Sequence, residues 1–241
     1  MENSADDRKR IAAYYSVDKF LRSGTAVGVG TGGTACFAIE RISQKIANRQ
    51  LADLIFVPTS LQTRHQLIEH GLKVTDLERT PVLDIAIEGV DEVDPELNCI
   101  KGCGGCLTRE KVVLRCAKQV VWAGDVSKTS DRLGTKCNSI PLEVVPFANH
   151  PVKRQVEMEE GGRCVLRMAK RKAGPVITDN ANYVIDWFFP PNLKEKNSWT
   201  EVHHRLKLIT GLVETGLFVG MAERACFGCA DGTVLELTAK H

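Results

Sequence analysis

The stretch AVGVGTGGTACFAIERISQKI, residues 26–46, decides the fold. Ala26 to Val29 is an apolar run of strand length, Gly30 to Thr34 (GTGGT) interrupts it, and Ala35, Ile39, Ile42 and Ile46 then recur at helical spacing. Strand, glycine loop and helix in that order open a Rossmann-like α/β sheet. Gly28, Gly30 and Gly33 also satisfy G-x-G-x-x-G, the dinucleotide fingerprint. A dinucleotide site wants an acid after the next strand to hold ribose, but the strand at Leu54 to Val57 runs into Pro58, Thr59 and Ser60. The free amides of a helix N-terminus, with the hydroxyls of Thr31 and Thr34, suit a lone phosphate equally well. A nucleotide-dependent reductase and a tight turn without ligand are the competing readings.

Upstream, Ile11, Tyr14, Val17, Phe20 and Leu21 mark one side of a helix from about Asp6 to Ser23, with Arg8, Lys9 and Arg10 in its early turns. Downstream, Ser60 to His70 reads as a helix and Leu83 to Ile87 as a second buried strand, which stops at Glu88, Gly89, Val90, Asp91, Glu92 and Asp94. The chain then turns through Lys101 to Gly105 into a helix at Thr108 to Ala117, whose first turn carries Arg109, Glu110 and Lys111. Carboxylates, an ammonium and backbone amides thus converge on one turn. Proton transfer beside a carbonyl needs a carboxylate base, a cation for the developing oxyanion, and further acids to move hydroxyl protons. Glu110, Lys101 and Asp91 fill those roles; the competing reading is a solvated acidic loop with ion pairs on a surface helix. A later strand, Val120 to Ala123, ends in Gly124 to Lys128, which makes Lys128 a candidate phosphate partner.

From Pro141 the pattern changes. Strands at Leu142 to Phe147, Cys164 to Met168 and Leu212 to Phe218, a hairpin-like strand region at Val176 to Phe189, and helices at Val152 to Glu159 and Trp199 to Ile209 give the order β-α-β-β-α-β. The expected organisation is a main α/β domain from residues 1–136 and 213–241, closed by a hairpin around Asp231-Gly232, and a smaller α+β ferredoxin-like domain at 137–212.

The 241 residues carry 32 Lys and Arg against 30 Asp and Glu, a net charge of +2, so no global field points to nucleic acid or a membrane surface. The charged start MENSADDRKR has no signal-peptide core, and the expectation is a cytoplasmic protein without membrane spans. Nine cysteines, an odd number, fit reduced thiols; the pairs Cys103/Cys106 and Cys226/Cys229 lie too far apart in sequence for a zinc ribbon, and no metal is expected.

Taken together, GVGTGGTA (28–35), EGVDEVD (88–94), IKGCGGCLTREK (100–111), GDVSK (124–128), PLEVVPFA (141–148), TDNANYVIDW (178–187) and GLVETGLF (211–218) resemble ribose-5-phosphate isomerase of the A type, nearest its animal forms. The resemblance implies interconversion of D-ribose 5-phosphate and D-ribulose 5-phosphate through an enediolate in the non-oxidative pentose phosphate pathway. It implies no cofactor, and a homodimer or homotetramer. Carried over by position, Glu110 moves the proton between C2 and C1, and Lys101 with the amides of Gly102, Cys103 and Gly104 stabilises the enediolate. Asp91 and Glu88, flanking Gly89 and Val90, help ring opening and hold hydroxyls. Thr31, Gly32, Gly33 and Thr34, with Lys128 and Arg10, take the phosphate. The chain has Glu88 where the family usually has aspartate, Gly33 for serine, and Cys103 and Ala181 for glycine. Glu88 and Gly33 motivate an alternative: a sugar-phosphate-binding homologue with weak or no turnover.

Overall fold

The computed structural model describes residues 3–191, 193 and 198–239. In chain order the elements are α1 (Ala5–Phe20), β1 (Ala26–Val29), α2 (Gly33–Ala47), β2 (Ile55–Pro58), α3 (Leu61–Glu69) and β3 (Ile85–Gly89). Two short strands, β4 (Glu92–Val93) and β5 (Cys99–Ile100), precede α4 (Leu107–Arg115) and β6 (Val120–Asp125). Then come β7 (Ile140–Val144), α5 (Asn149–Glu159), β8 (Arg163–Leu166), β9 (Tyr183–Phe188), α6 (Trp199–Lys207) and β10 (Leu212–Thr215). The chain closes with β11 (Leu217–Phe218), β12 (Arg224–Gly228) and β13 (Val234–Thr238).

The six-stranded sheet has the order β13-β12-β6-β3-β1-β2, parallel throughout except for the edge strand β13. Every residue of β1 and β3 is buried, as strands of a parallel sheet covered on both faces are, and the one charged side chain among them, Glu88, sits at the carboxyl end of β3. Gly28 lets α4 lie close on β1, since a Cβ there would stand 2.8 Å from Val113 Cγ1 and 2.9 Å from Ala86 Cβ. The connection after β1 leads to β2 on one side, and the connection after β3 leads to β6 on the other. The carboxyl ends of β1 and β3 therefore part at a topological switch point, where α/β sheets leave a ligand crevice.

The second sheet, β10-β7-β9-β8, is antiparallel, and with α5 and α6 it reproduces the expected β-α-β-β-α-β order. Its core gathers Leu142, Val144, Val156, Ile185, Trp187 and Leu206. The expected strands are shorter: the third is cut to Tyr183–Phe188 and the second ends at Leu166. β7 stops at Val144 because Pro146, which has no N–H to donate, opens a 3-10 turn. The run from Leu212 to Phe218 breaks at Gly216, so that β10 stays in the four-stranded sheet while β11 pairs with β5. The four-stranded sheet thus continues to Thr215, past the expected boundary at 212. The three-stranded sheet β11-β5-β4 holds the backbone just before Lys101. Among the described residues no helix is long and apolar enough to cross a membrane.

Candidate active site

A cavity of about 280 Å³ opens at the switch point, and Thr31 to Thr34, Gly89 to Asp91, Lys101, Gly102, Gly104, Glu110 and Lys128 line it. The sequence had singled out all of these. A larger open hollow of about 920 Å³ runs along α5, but among the described residues that one helix alone lines it, so groups from separate elements do not converge there.

The glycine loop is held from below. Thr31 donates its N–H to Glu88 Oε1 at 3.1 Å, and its hydroxyl sits 2.8 Å from Thr59 Oγ1 and 2.7 Å from Ser60 Oγ. Thr63 completes this hydroxyl cluster and donates to Gly30 O at 2.7 Å. Thr31 is therefore committed to the loop, and Thr59 and Ser60 stand where a dinucleotide fold would place its ribose-binding acid. Gly32 takes φ +99° as the N-cap of α2, a conformation that costs glycine nothing. Beyond it the first N–H groups of α2 point out of the helix with no intrahelical acceptor, the usual cradle for an anion.

At the other end Lys101 Nζ donates to Gly89 O at 2.7 Å and lies 3.4 Å from Glu88 Oε1 and 3.5 Å from Glu110 Oε2. Glu88, Lys101 and Glu110 are 1%, 4% and 5% exposed. Two carboxylates and one ammonium in a dry site leave one negative charge uncompensated if all ionise, so one carboxyl readily keeps a proton. Burial pushes Glu110 up to about 8; Lys101 opposes the shift, and Glu88 and Asp91 reinforce it. Burial also raises Glu88, against the pull of Lys101 and of N–H bonds from Thr31 and Gly89. Burial alone would lower Lys101, but the carboxylates of Glu110 and Glu88 outweigh it and hold the ammonium above its ordinary range. Glu110 Oε2 has no hydrogen-bond partner among the described residues, as suits a group kept available for a proton.

Three expected site residues stand elsewhere. Glu88 touches the array but does not line the cavity: Oε1 turns back to the N–H of Thr31 and of Gly89 (2.9 Å). Gly30 makes room for the longer side chain, since a Cβ there would lie 2.3 Å from Glu88 Oε1. Cys103 is exposed and off the cavity wall, and its N–H donates to Asp91 Oδ2 at 3.1 Å. Partial burial of its thiol and the nearby Asp91 push Cys103 up to about 11, so it stays a thiol at neutral pH. Arg10 turns outward, its guanidinium 4.6 Å from the Phe37 ring centre and 3.8 Å from Asp7.

Lys9 lines the cavity in place of Arg10, with its Nζ 3.9 Å from where a Cβ on Gly33 would be. The helix phase explains the exchange. The buried face of α1 is made by the small residues Ala12, Ala13, Ser16 and Val17, whereas Ile11 and Tyr14 are only half-buried. At about 100° per residue, Lys9 falls at the centre of that small-residue face and Arg10 at its edge. Gln62, at the start of α3, also lines the cavity and carried no motif in the sequence.

Backbone donors for an anion, placed beside a buried carboxyl and ammonium, define the class: an α/β enzyme performing acid–base chemistry on a small phosphorylated substrate. The chain belongs to the ribose 5-phosphate isomerase A (phosphoriboisomerase A) family, whose sequence model matches residues 55–232. It is 43% identical over 238 residues to the probable ribose 5-phosphate isomerase of Caenorhabditis elegans, covering 98% of this chain and 94% of that protein. It is 43% identical over 233 residues to the ribose-5-phosphate isomerase of Homo sapiens, covering 96% of this chain and 73% of that protein. A solved D-ribose-5-phosphate isomerase in complex with phospho-erythronic acid superposes with a TM-score of 0.92 at 33% identity, over 98% of this chain and 100% of that one.

Proposed function

We propose that this chain interconverts D-ribose 5-phosphate and D-ribulose 5-phosphate, with the phosphate on the glycine loop and the reacting carbons between Glu110 and Lys101. The observation that carries this is the 3.5 Å approach of Glu110 to Lys101, both buried, on the wall of the cavity that also holds the loop. As carboxylate, Glu110 takes the proton from C2 of the open-chain aldose; the C2–H pair becomes the C1–C2 double bond, and the C1 carbonyl oxygen takes the charge. Lys101 stabilises that enediolate, and Asp91 moves the hydroxyl proton from O2 to O1. Glu110 then returns its proton to C1, leaving the ketone at C2. Lys9 and Lys128, with the first amides of α2, orient the substrate through its phosphate, and remote binding of that kind raises turnover as well as affinity.

Phospho-erythronic acid, bound by the superposed relative, is a sugar-acid phosphate whose carboxylate mimics the charge of an enediolate, which supports the same arrangement here. A sugar-phosphate binder without turnover is not favoured by relatives that are named as isomerases. Glu88 acts in this reading as a positioning residue that ties the loop to Lys101 rather than as the ring-opening acid. The chain works as a homodimer or homotetramer in the cytoplasm, within the non-oxidative pentose phosphate pathway.

The direct test is formation of ribulose 5-phosphate by purified protein. Glu110→Gln should lower kcat by about 10²- to 10⁴-fold with KM little changed. An unchanged rate in that variant removes Glu110 as the base.

A further inference from the structure

We propose that the Arg8–Asp125 ion pair is a strut that fixes the spacing of Lys9 and Lys128, which makes Arg8 and Asp125 positioning residues for the substrate phosphate. The inference rests on the reading of that end of the cavity as a phosphate site.

Lys9 and Lys128 come from distant parts of the chain, the second turn of α1 and the 3-10 turn Val126–Lys128 after β6. Both face one cavity, so in the absence of an anion two ammonium groups repel each other across it. Neither is strongly held by its own contacts. Among the described residues Lys9 Nζ bonds only the exposed carboxylate of Asp6, at 2.9 Å, and Lys128 has no ion pair.

The residues beside them are held firmly. Arg8 Nε donates to Asp125 Oδ2, and Arg8 Nη1 donates to Asn3 O at 2.7 Å. Asp125 is 2% exposed, and its second oxygen accepts the Ser127 N–H at 2.6 Å, capping the turn that ends in Lys128. One carboxylate thus grips the residue before Lys9 with one oxygen and the turn that presents Lys128 with the other. The α1 side is seated on the sheet by Gly228 of β12, where a Cβ would lie 2.0 Å from Arg8 O, so the backbone at Arg8 lies directly on this glycine. An ion pair that served stability alone would have no cause to abut both phosphate-facing lysines. Here its removal frees both at once while the glycine loop, Lys101 and Glu110 stay in place.

The test uses Arg8→Gln, Asp125→Asn and the double variant, with dissociation constants for inorganic phosphate from calorimetry and KM and kcat for ribose 5-phosphate. Asp125→Asn keeps the side chain's size and its carbonyl cap on Ser127. Each single variant should weaken phosphate binding and raise KM roughly tenfold, the scale of one charge-assisted contact, with kcat changed less than about threefold. The double variant should be no worse than the poorer single, because the two residues act through one bond. Arg8→Lys, which keeps the charge, should recover part of the loss, and it carries the test if the other variants melt early. Phosphate affinity within twofold of the unaltered protein in folded single variants, or losses that multiply in the double, would overturn the strut. Phosphate binding without isomerisation by the unaltered chain would sink the isomerase reading and leave the strut standing. No phosphate binding at all would remove the phosphate site and the strut together.

Discussion

At one end of the cavity Glu88 and Glu110 flank Lys101 at 3.4 and 3.5 Å, each side chain almost wholly out of water. At the other, Lys9 and Lys128 reach in from half-buried positions over the backbone of Gly32 to Thr34. In the proposed reaction the first end uses desolvation to move proton affinities toward the working pH, whereas the second, proposed for the phosphate, offers fixed backbone dipoles and flexible cations that need no titration. Damage at the first end should therefore appear in kcat, and damage at the second in KM.

Lys101→Met is the severest test of that division short of removing the base. It takes away the main enediolate donor and should cost about 10²- to 10³-fold in kcat with KM within a few-fold, read by steady-state kinetics. A loss confined to KM would break the comparison.

The pH profile follows next. Glu110 acts as base only when ionised, so kcat/KM should rise with pH and level off above about 8, while Lys101 stays charged throughout. Stability moves the opposite way. A carboxyl raised from 4.5 to about 8 on folding stabilises the native state fully below about 4.5, and that contribution is lost as pH climbs through about 8. Melting curves of the unaltered chain should decline over that window more steeply than those of Glu110→Gln.

Lys9→Met should raise KM roughly tenfold with a smaller change in kcat, and Arg10→Met should leave both nearly unchanged. The reverse result would restore Arg10 to the phosphate. The smallest effect belongs to Ala181, which holds φ +61° in the turn that supports both ends of the cavity. In that turn the backbone oxygen of Asp179 and Oδ1 of Asn180 accept from the guanidinium of Arg109, beside Glu110, and the Asp179 carboxylate accepts the α3 N–H of Leu61, beside Gln62. Ala181→Gly should relieve the left-handed strain and stabilise the protein by about 0.5–1 kcal/mol in denaturant titration, with kinetics unchanged.

Sequence reading reached what periodicity and punctuation carry. GTGGT between an apolar run and a helix marked the phosphate loop, and an apolar strand ending in Glu88 and Asp91 marked the reacting end. Strands β4 and β5 were missed because two residues each hold no period. Arg10 came to the phosphate by position in the family resemblance alone, and the phase that favours Lys9 is hard to read from sequence because the packed face of α1 is built mainly from alanines and a serine rather than large apolar residues. The family resemblance aims Glu88 at the sugar, and nothing in its own segment reveals the space left by Gly30, which lies on the loop after the neighbouring strand β1.

The break at Gly216 has a mechanical consequence. The Lys101 N–H donates to Gly216 O at 2.9 Å, and the Gly216 N–H donates to Pro141 O at 2.6 Å, so the ammonium's own backbone is laced to the start of the four-stranded sheet through one residue with no side chain to give way. Any hinge that swung this sheet outward would drag the charge off the reacting carbons before it widened the mouth. Under the proposed reading, substrate would enter past the lysine-lined rim, whose long side chains can swing on backbone that stays put, while the frame around Lys101 stays rigid.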